Sequence, residues 1–191
     1  MKMIRRLLAT FVIVVSLVVS AHALTVQGVN VPEQVQVGGK TLRLQGAGMR
    51  KKLMVSVYVG ALYLTTPTRD AASAIHADEP KRISMVFVRD VDGGSLKEAY
   101  DEGFTKNAKA QVAALQPKID TLMKLAAVDV TKGQEVSFTY QPSVGTQVAV
   151  GGAVKGTIEG HDFMEALWSV WLGDSPPTKD LKAAMLGLAK P

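Results

Sequence analysis

The longest apolar run in the body of the chain covers 53–64, where Val, Tyr and Leu dominate and the two faces differ little in polarity. Such a run predicts a central strand covered on both sides. Upstream, 25–46 reads as two short strands broken by Pro32 and by a Gly38-Gly39 turn. Downstream, 70–76 predicts a short helix. Over 82–89, Ile83, Met85 and Phe87 alternate with Ser84, Val86 and Val88, which predicts another strand. Ser95-Leu96-Lys97-Glu98 has the form of a capping box, in which the serine hydroxyl and the glutamate each satisfy an orphan backbone donor. The helix behind it is expected to reach about position 114, and a second helix to cover 116–125 with Pro117 in its first turn. The segments 134–140, 146–150 and 153–159 predict a meander, with turns at 142–145 and at Gly151-Gly152. Two helices close the chain: 162–172, stopped by Gly173, and 178–186, with Thr178 as N-cap after Pro176-Pro177. Strands, a helix pair, strands and then helices give an α+β class, one antiparallel sheet with helices packed on one face.

The start of the chain follows a different pattern. Lys2, Arg5 and Arg6 precede the apolar run 7–19, and Ala21-His22-Ala23 is a small-x-small site. This is the form of a secretory signal peptide. Cleavage after Ala23 is expected, leaving 24–191 as a single domain in a periplasmic or secreted location, with no stable membrane span. An uncleaved N-terminal anchor is the alternative. Removing the signal also changes the charge. The 22 Lys and Arg less those three stand against 17 Asp and Glu, a net of +2. The basic pI is thus partly a targeting effect. No basic run with interleaved aromatics points to nucleic acid. The chain has no cysteine, so an exported fold must be held by its core rather than by disulfides.

Metal and nucleophile chemistry are poorly supplied. Beyond the signal only His76 and His161 remain, far apart, and no carboxylate cluster or Gly-x-Ser-x-Gly elbow occurs. No cofactor is expected. Two other places could carry chemistry. Gly46-Ala47-Gly48-Met49-Arg50 sets a guanidinium at the mouth of the apolar run, either as a solvated strand-end charge or as an anion clamp in a cleft. On the helix from Ser95, the residues Leu96, Ala99, Tyr100, Gly103, Phe104, Asn107 and Ala110 share one stripe. Tyr100 and Asn107 could line a cleft beside Gly103. Helix geometry alone equally fits a tyrosine at the core edge, a packed glycine and an asparagine bonded to a loop.

The sequence Gly46-Ala47-Gly48-Met49-Arg50, followed by Val57-Tyr58-Val59-Gly60-Ala61-Leu62-Tyr63-Leu64, resembles the chalcone isomerase-like family. So does Tyr100-Asp101-Glu102-Gly103-Phe104-Thr105-Lys106-Asn107. Gly156-Thr157-Ile158-Glu159-Gly160 and Trp171-Leu172-Gly173-Asp174-Ser175-Pro176 resemble its bacterial, exported branch. The resemblance implies an open-faced β-sandwich with a ligand cleft between sheet and helices. It implies that Arg50 anchors a negative oxygen and that Tyr100, Asn107 and Thr178 line the site. Tyr58 stands where the plant isomerases have threonine, and is similar to the arrangement of the family's fatty-acid-binding members. The reading is therefore a binding protein for a small apolar anion, a fatty acid or similar carboxylate or phenolate. A second reading is an isomerase of the chalcone-to-flavanone type that uses Arg50, Tyr58, Tyr100, Asn107 and Thr178. A third is an envelope interaction module with a vestigial cleft. One difficulty is geometric: eight residues of straight strand separate Arg50 from Tyr58 by about 26 Å. They can share a headgroup only if the chain bends between Lys51 and Val55, for instance through a bulge.

Overall fold

A computed structural model describes residues 23–190; the expected signal peptide, 1–23, lies outside them but for Ala23. Nine strands and five helices are formed among the described residues. A two-stranded hairpin, β1 (Ala23–Val26) and β2 (Val29–Pro32), precedes β3 (Gln34–Val37), β4 (Lys40–Lys52) and β5 (Val55–Leu64). Helix α1 (Ala71–His76) leads to β6 (Lys81–Phe87). Helices α2 (Gly93–Asn107) and α3 (Lys109–Ala126) lead to β7 (Glu135–Gln141), β8 (Gly145–Val150) and β9 (Ala153–Ile158). Helices α4 (His161–Leu172) and α5 (Lys179–Met185) end the fold. Strands β3 to β9 form one antiparallel sheet in chain order. The α+β class, with helices on one side of a curled sheet, is as the pattern predicts.

The main core lies between the sheet and the helices. Helix α4 is apolar nearly all round, with Phe163, Met164, Leu167, Trp168, Val170, Trp171 and Leu172 buried. A helix of that composition belongs inside. A second, smaller core holds Val26, Val31, Val37, Leu42, Ala47, Val59, Ala61 and Tyr63 on the other face, under the β1–β2 hairpin. Strand β5 is thus covered on both sides, as its lack of alternation implies.

Four local expectations are corrected. First, the run 53–64 is not strand throughout: the Gly-Ala-Gly segment lies within β4, and the chain reverses at Leu53-Met54 before β5 begins. Lys52 pairs with Val55, and Leu53 and Met54 both have positive φ, 48° and 70°. That is the geometry of a two-residue type I′ hairpin, which favours Asn-Gly. Second, helix α2 starts two residues before Ser95. Asp92 is its N-cap and accepts from the Ser95 N–H at 2.8 Å, so Ser95 sits at the third helical position. Third, α2 stops at Asn107, because Ala108 leaves the helical region at φ −128°, ψ 25°. Fourth, Pro117 lies inside α3. It is on the exposed face, where the carbonyl it leaves unpaired faces solvent.

Two bulges set which side chains face the helices. Register shifts between Leu44 and Gly46, and between Arg50 and Lys51, leave Gln45 and Val57 as extra residues. At each bulge two consecutive residues look toward the helical side, as Val57 and Tyr58 do in the main core. Beyond the first bulge Gly46 and Gly48 seat α5. A Cβ at Gly46 would run into the Ala184 carbonyl, and one at Gly48 would come within 2.5 Å of the Ala184 Cβ.

The Leu53-Met54 tip is built from residues that its backbone disfavours, at a cost of about 1–2 kcal/mol per left-handed residue. Replacing it by Leu53→Asn/Met54→Gly should raise stability by about 1–2 kcal/mol. Urea unfolding checks this, as a higher midpoint at unchanged slope.

Candidate functional site

Between the β4–β5 ribbon and helices α2 and α4 lies a cleft of about 450 Å³. Apolar residues such as Val57, Met85, Leu96, Val170 and Trp171 line its interior, and Arg50, Lys52, Arg89 and Lys106 bring positive charge to it. Asp90, Asp92 and Glu102 contribute the negative groups of the lining.

The hairpin resolves the distance problem. Arg50 and Tyr58 are register partners across β4 and β5. The Arg50 guanidinium lies 5.6 Å from the centroid of the Tyr58 ring, within cation–π range. The bend expected between Lys51 and Val55 is a full chain reversal, and the Val57 bulge lets Val57 and Tyr58 both face the main core. Among the described residues Arg50 makes no hydrogen bond or ion pair, so its planar fork of donors is unspent.

Tyr58 is buried against Phe87, with ring centroids 5.5 Å apart. Its hydroxyl accepts a hydrogen bond from the Trp171 indole N–H at 2.9 Å. An indole can only donate, so the tyrosine proton must point elsewhere. Burial pushes the Tyr58 phenol above its ordinary range, against the opposing pull of Arg50 and of the Trp171 bond. It remains a neutral donor at physiological pH.

Tyr100 also lines the cleft. Its ring meets Phe138 and Trp171 edge-on, at 6.1 and 6.3 Å. Its hydroxyl is buried without a partner among the described residues. Burial also raises its phenol above the ordinary range, and the neighbouring Tyr58 adds to the effect. On the rim, the Glu102 carboxyl is held below its ordinary range. Its hydrogen bond and ion pair with Lys106 act first, with Lys52 and Arg50 adding to them.

Of the five residues expected at the site, three meet in the cleft: Arg50, Tyr58 and Tyr100. Asn107 and Thr178 do not line it. The seven-residue spacing does place Asn107 on the Tyr100 stripe, but at the last residue of α2. There its amide donates to the Gly103 and Ser175 carbonyls at 2.9 and 3.0 Å and accepts from the Ser175 N–H at 2.8 Å. It clamps the α4–α5 loop, which is the loop-bonded alternative for this residue. Thr178 caps α5, accepting from the Leu181 N–H at 3.2 Å. The space beside Gly103 is partly taken by protein: an added Cβ would come within 2.5 Å of the Val170 Cγ1.

Trp171 and Arg89 were not among the expected site residues. The Trp171-Leu172-Gly173 motif was visible, but its partner Tyr58 lies 113 residues away, and no spacing rule links them. Arg89 follows the end of β6, the strand paired with β5. A charge at the matching end of the neighbouring strand is a signal that pairing alone supplies.

The chain belongs to the chalcone isomerase-like family, whose model matches residues 23–187. Among solved structures, a fatty-acid binding protein of Arabidopsis thaliana has the same fold. The TM-score is 0.65 and the identity 17%, over 83% of this chain and 92% of that one. No curated protein sequence is significantly similar to the chain.

An unpartnered buried hydroxyl is costly. Tyr100→Phe should therefore stabilise the ligand-free protein by about 1–3 kcal/mol. Chemical denaturation measures this; equal or lower stability would show that the hydroxyl already has a partner.

Proposed function

We propose that this protein binds a small, mainly apolar anion in the cleft, with a fatty acid or similar carboxylate as the class of ligand. The observation that carries the reading is the unspent Arg50 guanidinium over the Tyr58 ring, beside an apolar cleft that also holds the orphaned Tyr100 hydroxyl. A guanidinium offers a bidentate fork to a carboxylate. Tyr58 can add an O–H to the same group, because its lone pair is already engaged by Trp171. The apolar walls would take the tail, and the cleft volume falls in the range of small-molecule sites. The name of the Arabidopsis thaliana neighbour agrees with that class of ligand.

The isomerase reading has less support. It would use Asn107 and Thr178 at the reacting end, and neither lines the cleft: both are committed to backbone groups. The Tyr58 ring also occupies the position where the plant isomerases have threonine. An intramolecular cyclisation depends on holding one reactive pose, and a misplacement of about 1 Å can cost on the order of a hundredfold.

Arg50→Ala should weaken binding of dodecanoate by about 1.5–3 kcal/mol, the worth of a charge-assisted hydrogen bond, with little change in the unfolding midpoint. Isothermal titration reads the affinity; equal affinity in parent and variant would remove the clamp. Arg50-dependent, stereoselective cyclisation of a chalcone by the parent would favour the isomerase reading instead.

The n-region, apolar run and Ala-His-Ala order also lead us to place the protein outside the cytoplasm, in the periplasm or secreted. N-terminal sequencing from the native host is expected to begin at Leu24 or within a residue or two. An intact Met1 in a membrane fraction would defeat that location.

A further inference from the structure

The Leu53-Met54 tip carries two features that a solvent-exposed turn does not require. Leu53 and Met54 are 91% and 90% exposed, the largest values among the exposed large apolar residues described. Both also hold positive φ, where Asn-Gly would be relaxed and soluble. Val55, the next residue, is 44% exposed. Together they form a protruding apolar point.

The ribbon that carries it bears charge of one sign. Arg50, Lys51 and Lys52 lead directly into the tip, and Lys51 and Lys52 are exposed. No acidic residue occurs between Glu33 and Asp70, so the β4–β5 ribbon holds no negative side chain. On the facing rim Glu102 is paired with Lys106, Asp92 caps α2 and Asp90 accepts from the Lys132 N–H at 2.7 Å, while Arg89 and Lys106 add positive charge there. The tip is also continuous with the cleft, because Leu53 and Val55 belong to the lining.

We propose that this tip docks on an anionic lipid bilayer. Leu53 and Met54 enter the acyl boundary, Lys51 and Lys52 meet the headgroups, and the cleft opens onto the membrane. A two-residue point is too small for a stable protein partner, which needs roughly 800 Å² a side. A bilayer accepts a narrow apolar point wherever basic residues ring it. The inference rests on the reading that the cleft takes an apolar anion, a class of ligand that resides in membranes.

The absence of cysteine from the sequence allows a site-specific test on the full chain. Met54→Cys is labelled with a polarity-sensitive fluorophore. A matched Val144→Cys label serves as control, since Val144 is 52% exposed in the β7–β8 turn, at the opposite end of the sheet. Vesicles of equal parts phosphatidylglycerol and phosphatidylcholine should blue-shift the Met54 label and leave the Val144 label unchanged. Lys51→Gln and Lys52→Gln should each weaken this response about fivefold. Salt near 1 M, with a screening length of about 3 Å, should weaken it further. An unshifted Met54 label overturns the proposal, as does an equal shift with phosphatidylcholine alone or a shift with protein concentration before vesicles are added. The readout uses no ligand. A failed tip therefore leaves Arg50-dependent carboxylate binding standing, and failed carboxylate binding leaves the vesicle response readable.

Discussion

The pairing of Arg50 with Tyr58 across the β4–β5 ribbon is the contact on which the cleft depends, and its register is set by two bulges. Side chains alternate along a strand, so a slip of one residue would send the whole set to the other face. The extra residue at Gln45 brings Gly46, Gly48 and Arg50 onto the helical side. The extra residue at Val57 lets Val57 and Tyr58 face the main core together. Along one face of β4 the two glycines that seat α5 are followed by the arginine just past them. Gln45 ties the same stretch to the C-terminal end by donating to the Leu186 carbonyl at 3.0 Å.

Apart from the carboxylates of Asp90, Asp92 and Glu102, the polar side chains around Arg50 share a direction. Trp171 can only give a proton, and it gives it to Tyr58. Arg50 has donors and no acceptor. Tyr100 keeps a hydroxyl with no partner to satisfy. Burial holds both phenols neutral, so they remain donors across the physiological range. The result is a weakly compensated concentration of N–H and O–H groups in an apolar setting, suited to a group that brings lone pairs and negative charge. The clamping residues stand outside this set. Asn107 holds the α4–α5 loop to the end of α2, and so positions the Ser175, Pro176 and Pro177 wall without touching the interior.

Much of the architecture was legible because it rests on periodicity. The unalternating 53–64 run announced a doubly covered strand, and the turn residues at Gly38-Gly39 and Gly151-Gly152 marked hairpins. The reversal at Leu53-Met54 was hidden, because neither residue carries a turn signal and both look like strand interior. That one omission produced the apparent 26 Å gap between Arg50 and Tyr58. Asn107 misled for the opposite reason. Its spacing from Tyr100 was correct, but helix phase says nothing about where a helix ends, and the break at Ala108 decides what the amide can reach. The bond between Trp171 and Tyr58 joins residues far apart in the chain, so no local pattern could have disclosed it.

The order of strands in the sheet has a consequence for how the molecule is made. Each strand from β4 to β9 pairs with its predecessor in the chain, so most of the sheet can close through short loops, which cost the least chain entropy. The cleft is different, since its lining runs from Arg50 to Pro177. A chain emerging N-terminus first can begin pairing strands long before the cleft has its far wall. Until Trp171 arrives, Tyr58 has no indole to fix its proton, and until α5 arrives the glycine seats of β4 are bare. The sheet is a structure the growing chain can acquire piece by piece; the cleft exists only once nearly the whole chain is present.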